Sequence, residues 1–495
     1  MKPKTTFIKI LLELMVLLAV ILITGIIFGS CEKDVSVTPP DSPPPDGFVF
    51  INSNPKGFHI YIDGKARRRS TPDSLTWLKT GTYLVTLKKE LFRDSSLTIN
   101  IVEGKKISLF VDITMNPLMR GQIYCTSKPS GAEVFLNDSS SGKFTPATLV
   151  NILPGNYKVR YHLKNHKDDS LNISVSSNNI STSYLILVDT TIWSDYNTNN
   201  SGIFTNTLTC VTVDKKDIVW AGTNKEGAIS FDGKNWGGKQ LFNTLPDQHI
   251  NCISVNSDGA IFMGTNRGFI RYDGVNMDMY GFKTSELQDY FVEAISFDNY
   301  GDWYIGTRGG LTRSYLINGN RTWSNYDSTQ VPDNWITSII KDKSNNLWVG
   351  MKDSGITRRN ASMGWNVYNY KNSRFINNNV TALAESPTGE IWAGFDKGLV
   401  AGNGISYFNG SLWNNVYPIL SDSKTNSILV DRYNNKWIAT DKGLVTFQTI
   451  ADVKIFNYEN TGLNLNNVTG VAQDSHGNIW ISTWDGGLIE YKANK

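Results

Sequence analysis

The chain has 495 residues, more than one hydrophobic core usually serves, so at least two domains are expected. Hydrophobic residues make up 40% and charged residues 19% of the sequence, which excludes disorder as the main state. The 48 lysines and arginines nearly balance 45 aspartates and glutamates, so no basic footprint for nucleic acid is present. The 14 tryptophans, 21 tyrosines, 22 phenylalanines and 42 glycines favour an all-β fold of short strands and tight turns.

The N-terminal residues have the pattern of an export signal. Lysines precede an apolar run from Ile10 to Phe28, which only Glu13 interrupts. The run ends in Phe28-Gly29-Ser30-Cys31, which resembles the lipobox of bacterial lipoproteins. The resemblance implies that residues 1–31 are a signal peptide, that Cys31 carries the lipid, and that the protein is exported to the cell envelope, at the outer membrane of a Gram-negative bacterium. An uncleaved membrane anchor is the alternative, because the run approaches the ~20 apolar residues that span a bilayer.

Residues 32–46 are predicted to be a proline-rich linker. Five prolines fall between Val35 and Asp46, a composition that stays extended and does not pack a core. We expect this segment to hold the folded part away from the membrane.

Two small β modules are predicted at residues 47–116 and 120–188. A proline that fixes φ, followed by a glycine that permits positive φ, lets a strand reverse its direction. The motifs that recur at one constant offset are Pro55-Lys56-Gly57 with Pro129-Ser130-Gly131, Thr71-Pro72 with Thr145-Pro146, and Gly81-Thr82-Tyr83 with Gly155-Asn156-Tyr157. Both copies resemble the PEGA domain, a small β-sandwich-like module of surface proteins named for a Pro-x-Gly-Ala turn, although Phe58 replaces the alanine in the first copy. The resemblance implies a spacer or adhesive role.

A seven-bladed β-propeller is predicted at residues 190–495. A strand with an aromatic residue two positions before a small residue, most often glycine, recurs about every 42 to 45 residues. Each copy follows a strand and hairpin turn and precedes a short glycine-led strand, and most copies add an aromatic outer strand, which makes four strands per repeat. The repeated aromatics, which we expect to pack between neighbouring blades, are Trp220, Phe262, Tyr304, Trp348, Trp392, Trp437 and Trp480.

The two ends of this repeat region are expected to meet. The last repeat stops near Tyr491 without an outer strand, whereas Trp193-Ser194-Asp195-Tyr196 precedes the first repeat and matches Trp323-Ser324-Asn325-Tyr326. We therefore expect the Trp193 segment to complete the seventh blade, because closure leaves no open sheet edge.

The repeats resemble the two-component-regulator propeller. His476-Gly477-Asn478-Ile479-Trp480, followed by Gly486-Gly487-Leu488, fits its pattern closely. In that family such propellers form the periplasmic sensor half of hybrid histidine kinases and often respond to polysaccharide fragments. Since no transmembrane helix follows residue 31 and no kinase segment follows Tyr491, the resemblance leads us to expect a stand-alone lipoprotein that binds, adheres or scaffolds.

Metal and redox sites find little support in the sequence. Beyond Cys31 the cysteines are Cys125, Cys210 and Cys252, without CxxC spacing. Cys210 and Cys252 occupy matching places in adjacent repeats, so a disulfide and thiols buried within strands are the two alternatives. No histidine lies at metal-ligand spacing from cysteines or carboxylates, so neither zinc nor a cofactor is expected. The Asp-x-x-Gly/Asn-Asn turns lack calcium-loop spacing and are interpreted as Asx turns.

A ligand is expected on the face formed by loops between the second and third strands of the blades, around the channel mouth. The hypothesis is a neutral or weakly acidic glycan, with Trp484 and Trp335 as stacking platforms and charged loop residues as hydrogen-bond donors. The alternative is that these are solvated turn residues. Acidic residues neighbour most of the loop cations, so the field should be mild. The loop cations are Lys225, Arg267, Arg308, Lys352, Lys397 and Lys442.

The sequence thus predicts a membrane-anchored, surface-displayed and non-catalytic lipoprotein. Its expected partners are the membrane, through the lipid on Cys31, and a glycan or surface protein. One alternative is a structural or adhesive surface protein without a small ligand. The other is a polysaccharide-active propeller enzyme, but no GxSxG motif, P-loop or distinct carboxylate pair stands out in the sequence.

Overall fold

The computed structural model describes residues 47–238, 245, 247–281, 285–360, 362, 364–373, 377–397, 404–416 and 423–493. The predicted signal peptide, the lipidation site Cys31 and the linker lie outside the described residues. The described chain consists mostly of short strands, which confirms the all-β prediction. Among these residues, no helix combines the length and apolar content that crossing a bilayer requires. The few helical turns are Ile113–Met115, Pro117–Met119 and Ile450–Asp452, which are 3-10 helices, and α1 (Tyr458–Thr461).

The first β module consists of two sheets. Its strands are β1 (Gly47–Asn54), β2 (His59–Ile62), β3 (Lys65–Ser70), β4 (Asp73–Leu78), β5 (Gly81–Lys88), β6 (Ser95–Ile101) and β7 (Lys106–Asp112). One sheet has the order β4-β1-β7, in which β1 and β7 are parallel, and the other has the order β3-β2-β5-β6. Alternate residues of both sheets, among them Val49, Ile60 and Val85, are buried in a shared core.

The second β module repeats this topology. Its strands are β8 (Gly121–Lys128), β9 (Glu133–Leu136), β10 (Ser139–Phe144), β11 (Ala147–Ile152), β12 (Gly155–His162), β13 (Asp169–Val175) and β14 (Ile180–Ile186). The sheets have the orders β11-β8-β14 and β10-β9-β12-β13, the same arrangement as in the first module. The two modules therefore share their strand order as well as their sequence motifs.

A threonine holds the Pro-x-Gly corner in each module. The Thr71 hydroxyl accepts a hydrogen bond from the Phe58 amide at 3.1 Å, and the Thr71 carbonyl accepts one from the Gly57 amide at 2.8 Å. Thr145 makes the equivalent bonds with Ala132 and Gly131 at the same distances. These bonds give a physical reason for the two motifs to recur together.

The described residues of the propeller form seven four-stranded antiparallel sheets, as predicted. The strands of each blade are given from the inner to the outer edge. Blade 1 consists of β16 (Leu208–Val213), β17 (Val219–Thr223), β18 (Ala228–Phe231) and β19 (Trp236–Gly237), and blade 2 of β20 (Ile250–Val255), β21 (Ile261–Thr265), β22 (Gly268–Tyr272) and β23 (Met277–Tyr280). Blade 3 consists of β24 (Val292–Phe297), β25 (Trp303–Thr307), β26 (Leu311–Ile317) and β27 (Asn320–Asn325), and blade 4 of β28 (Ile336–Lys341), β29 (Leu347–Met351), β30 (Ile356–Arg359) and β31 (Trp365–Tyr368).

The last three blades follow the same plan. Blade 5 consists of β32 (Val380–Glu385), β33 (Ile391–Phe395), β34 (Ile405–Phe408) and β35 (Trp413–Val416), and blade 6 of β36 (Thr425–Val430), β37 (Lys436–Thr440), β38 (Gly443–Phe447) and β39 (Lys454–Phe456). Blade 7 consists of β40 (Val468–Gln473), β41 (Ile479–Thr483), β42 (Leu488–Tyr491) and β15 (Trp193–Tyr196).

The two ends of the propeller chain meet in blade 7. β15 pairs antiparallel with β42, with Trp193 opposite Tyr491. Trp193 is buried and meets the rings of Tyr491 and Phe456 edge to face, at centroid distances of 4.9 and 5.2 Å. The predicted closure is confirmed.

The repeated aromatic of each blade packs against the following blade. Trp480 of blade 7 shares an apolar cluster with Leu208, Val219 and Phe231 of blade 1. The corresponding residues of the other blades lie in equivalent clusters with their successors. Each of these large rings is buried and so removes apolar surface from water at a blade interface.

Four of these tryptophans are also fixed by the turn that precedes their strand. In blade 4, Asp342 accepts a hydrogen bond from the Asn346 amide at 2.7 Å and, through its other oxygen, one from the indole N–H of Trp348 at 2.8 Å. Blades 1, 6 and 7 repeat the aspartate–indole bond at 3.0 to 3.1 Å. In blade 5, Ser386 takes the aspartate's place, and the buried indole N–H of Trp392 has no partner among the described residues.

This difference predicts unequal effects for one substitution made in two blades. Trp348→Phe removes a hydrogen bond to a carboxylate, whereas Trp392→Phe removes an unsatisfied buried donor. We expect Trp348→Phe to lower the free energy of unfolding by about 1–3 kcal/mol more than Trp392→Phe. Urea unfolding of both full-length variants measures the difference, and equal losses would show that the aspartate bond contributes nothing.

Candidate functional site

The inner strands of all seven blades line one cavity on the propeller axis. Its volume is about 690 Å³, within the range of small-molecule sites, roughly 300 to 1,000 Å³. Lys424, Asp441, Asn467 and Trp484, which lie outside the inner strands, also contribute to the lining. The cavity is therefore a pre-formed concavity built from every blade.

The cavity lining changes in character along the inner strands. The fourth residue of each strand is aliphatic, and the third is small. The second residues, which we call the polar collar, are Thr209, Asn251, Glu293, Thr337, Thr381, Asn426 and Thr469.

Four collar residues connect neighbouring blades. Each donates a side-chain hydrogen bond to the carbonyl of the first residue in the next inner strand. This use of the hydrogens leaves lone pairs on the collar oxygens, so the collar can accept hydrogen bonds from a ligand. The bonds are Thr209 to Ile250 at 2.5 Å, Asn251 to Val292 at 3.1 Å, Thr337 to Val380 at 2.6 Å and Asn426 to Val468 at 2.8 Å.

The one acidic residue of the collar is paired. Arg308 Nε lies 2.6 Å from Glu293 Oε1. The Arg308 guanidinium also lies 4.7 Å from the centre of the Trp335 ring, and Lys352 Nζ lies 4.1 Å from it. Trp335, predicted as a stacking platform, is thus engaged by two cations through cation–π contacts.

The remaining predicted cations, Lys225, Arg267, Lys397 and Lys442, are exposed. They sit in tight loops, most of which are held by the threonine of the preceding strand. In blade 2, for example, the Thr265 hydroxyl donates to the Gly268 carbonyl at 2.9 Å.

The structure therefore brings together only part of the predicted face. Lys397 forms an ion pair with Asp441 at 2.7 Å. Of the eight predicted site residues, Trp484 alone is among the described residues that line the cavity.

The sequence prediction missed the polar collar. A signal was present, because the second residue of every inner strand is threonine, asparagine or glutamate. Aligning the inner strands, rather than the loops, would have found it.

Cys210 and Cys252 are free thiols at the third position of adjacent inner strands. Both line the cavity and are half-buried, so of the two alternatives that the sequence left open, the structure has free thiols within strands and not a disulfide. Burial raises the pKa of Cys210 to about 11, and burial likewise raises the pKa of Cys252. Because the thiolate is the reactive form, both side chains are weak nucleophiles at neutral pH.

Comparison with known families supports the resemblance to the PEGA domain and the resemblance to the two-component-regulator propeller. The PEGA domain model matches residues 47–116 and 120–188, and the model called two component regulator propeller matches residues 330–353 and 462–485. These matches confirm the architecture predicted from the sequence. The search of curated proteins gave no match.

Several solved structures share the propeller fold. The extracellular domain of BT4673 from B. thetaiotaomicron, described as a one-component system, is 20% identical with a TM-score of 0.50, over 61% of this chain and 40% of that one. The extracellular domain of BT3049 from B. thetaiotaomicron, described as a hybrid two-component system, is 15% identical with a TM-score of 0.54, over 83% of this chain and 60% of that one. Virginiamycin B lyase from Staphylococcus aureus is 14% identical with a TM-score of 0.50, over 61% of this chain and 99% of that one. At these identities the likeness shows the fold, and the chain spans less than two thirds of the two extracellular domains.

The collar offers a matched pair of threonines. The Thr337 hydroxyl donates across the blade boundary, whereas the hydroxyl of Thr381, one blade further on, is buried without a partner among the described residues. We expect Thr337→Val to lower the free energy of unfolding by about 0.5–1.5 kcal/mol relative to Thr381→Val. Chemical unfolding of the two variants tests this, and an equal or reversed effect would contradict the connecting role of the collar.

Proposed function

We propose that this protein is an exported, lipid-anchored and non-catalytic binding protein whose propeller takes up a neutral or weakly acidic glycan at the channel. The observation that carries the proposal is the axial cavity of about 690 Å³, in which an acceptor-rich collar is combined with an exposed tryptophan.

The collar suits a ligand with many hydroxyl groups. Thr209, Asn251, Thr337 and Asn426 use side-chain hydrogens on backbone carbonyls, so their oxygens are available to sugar hydroxyls. The aliphatic residues at the fourth position of six inner strands line the cavity and offer apolar surface to the carbon skeleton of a sugar.

Trp484 supplies the stacking surface in this proposal. Its side chain is 42% exposed and contributes to the cavity lining. An indole ring offers a flat apolar face to one side of a sugar and a single N–H donor at its edge. A ligand in contact with both Trp484 and the collar would extend from the loops into the channel.

The charges around the cavity favour a ligand with little charge. Glu293 is neutralised by Arg308, and Asp441 is neutralised by Lys397. Paired charges of this kind do not create the single-sign potential that attracts a polyanion.

The non-catalytic part of the proposal rests on the same cavity. Glu293 is held by an arginine at 2.6 Å, and the raised pKa of Cys210 keeps its thiol protonated. Neither group, as placed, has the activating neighbour that a general acid–base residue or a nucleophile needs.

Export and lipid anchoring are proposed from the N-terminal sequence. The apolar run ends in the lipobox-like Cys31, and the two PEGA-type modules that follow would hold the propeller away from a membrane. The similar propellers of BT4673 and BT3049 are extracellular domains, which agrees with this location.

The test is glycan-array screening of the full-length protein, followed by calorimetric titration of any glycan that binds. We expect Trp484→Ala to weaken binding by about tenfold or more, because the stacking surface is lost. The matched control is Trp335→Ala, whose ring already contacts two cations and which should bind as the wild type does. Equal affinity of Trp484→Ala and wild type would reject this site.

Two other results would favour the alternatives. Release of cleaved sugars during incubation would indicate an enzyme. Absence of glycan binding together with loss of cell adhesion on deletion would indicate a structural surface protein.

A further inference from the structure

A second pocket lies between blades 2 and 3, apart from the axial cavity. Its volume is about 320 Å³, and its lining includes Arg271 and Tyr280 of blade 2 and Trp303, Leu316 and Arg321 of blade 3. None of these residues belongs to the polar collar or to the predicted loop face.

An extended hairpin of blade 3 forms one wall of this pocket. Strands β26 and β27 have seven and six residues, whereas the third strands of the other blades have four or five and their outer strands two to four. The hairpin turns at Asn318 and Gly319, both with positive φ, as a tight two-residue turn requires. The additional residues of these two strands include Leu316 and Arg321, which lie opposite each other in the hairpin. The pocket is therefore a feature of this blade and not of the repeat.

Arg321 is held rigidly within the pocket. Its guanidinium lies 3.7 Å from the centre of the Trp303 ring, and Nη1 donates to the carbonyls of Gly301 and Ser314 at 3.2 and 3.4 Å. Its Nε and Nη2 groups make no hydrogen bond with any described residue. These two N–H groups are the parallel pair with which an arginine grips a carboxylate.

The cation of Arg321 also lacks an ion-pair partner among the described residues. The nearby Asp302 is engaged by Arg313, whose Nε lies 2.7 Å from it. Burial lowers the pKa of Arg321, and the neighbouring cation of Arg271 acts in the same direction, whereas Tyr280, Asp302 and Asp258 act in the opposite direction. A bound anion would offset both costs.

The rest of the lining limits the charge that the pocket can accept. Arg271 already contacts Asp278 and Asp273 at 3.2 and 3.6 Å, and Asp258 adds a carboxylate to the pocket lining. Arg321 can therefore balance the single negative charge of one carboxylate, whereas the additional negative charge of a phosphate would be repelled by Asp258. Asp258 and Ser257 can bind hydroxyl groups, and Leu316 and Tyr280 offer apolar surface.

The geometry points to a binding site for a singly charged, hydroxylated carboxylate of about monosaccharide size, held by the Nε and Nη2 groups of Arg321. This site is separate from the proposed channel site, and neither depends on the other.

The experiment is an NMR titration of the full-length protein with D-glucuronate, and with D-glucose as the matched neutral sugar. We expect D-glucuronate to bind the wild type, and to bind Arg321→Gln and Arg321→Lys at least about tenfold more weakly, since lysine keeps the charge but not the paired donors. Glucose should not compete with glucuronate at this site.

Two control variants test whether glucuronate binds at this pocket. Arg358→Gln removes an arginine that also lies over a tryptophan, at 5.0 Å from the Trp348 ring centre, but that does not line the pocket, so this variant should bind normally. Trp484→Ala should also bind glucuronate normally, which distinguishes this pocket from the channel site. If Arg321→Gln does not fold, Arg271→Gln replaces it, with weakened binding expected.

The proposal is overturned if glucuronate does not bind the wild type, if it binds the folded Arg321 variants with unchanged affinity, or if Arg358→Gln loses as much affinity as Arg321→Gln.

Discussion

The pairing of β15 with β42 is the contact on which the propeller depends. A circle of sheets has two free ends unless its first and last strands share one sheet, and here Tyr196 and Glu490, which lie 294 positions apart in the sequence, come within 3.3 Å. Trp193 adds a buried ring that packs against Tyr491 of its own blade and Phe456 of the preceding one. Without this pairing, β42 would expose an unpaired edge, and the axial cavity would lose the fixed geometry of its wall.

Each blade interface repeats one physical solution. A large aromatic enters the space between two blades, and the small residue two positions later makes room for the next inner strand. At Gly222, an added Cβ would lie 2.6 Å from the Cys210 sulfur and 2.8 Å from Ile250 of blade 2, so a larger residue would force the blades apart. Four of the collar side chains then connect neighbouring inner strands by hydrogen bonds. The same contacts that stabilise the ring thus also shape its binding surface.

Much of the fold could be read from local sequence periodicity, and much of the site could not. The repeated aromatics and the match between the Trp193 and Trp323 segments were sufficient to predict seven blades and their closure, because each repeat contains the strand pattern of one blade. The loop cations were poorer guides, since the contacts of a side chain depend on neighbours in other loops. Arg308 pairs with Glu293 and contacts Trp335 across a blade boundary. Arg321 became recognisable as a candidate ligand-binding residue only when the structure placed it over Trp303 with two donors unused.

Disulfide trapping of the closing strands tests ring closure most directly. Ser194 lies opposite Glu490 in the β15–β42 pair, so the full-length Ser194→Cys/Glu490→Cys variant should form an intramolecular disulfide between these positions, detectable by peptide mass spectrometry after mild oxidation. The matched control is Asp195→Cys/Glu490→Cys, in which the side chains point to opposite faces and should not be joined. Efficient crosslinking of the first variant alone is the result we predict. Failure of the first pair to crosslink, or equal crosslinking of both pairs, would contradict a propeller closed by its N-terminal strand.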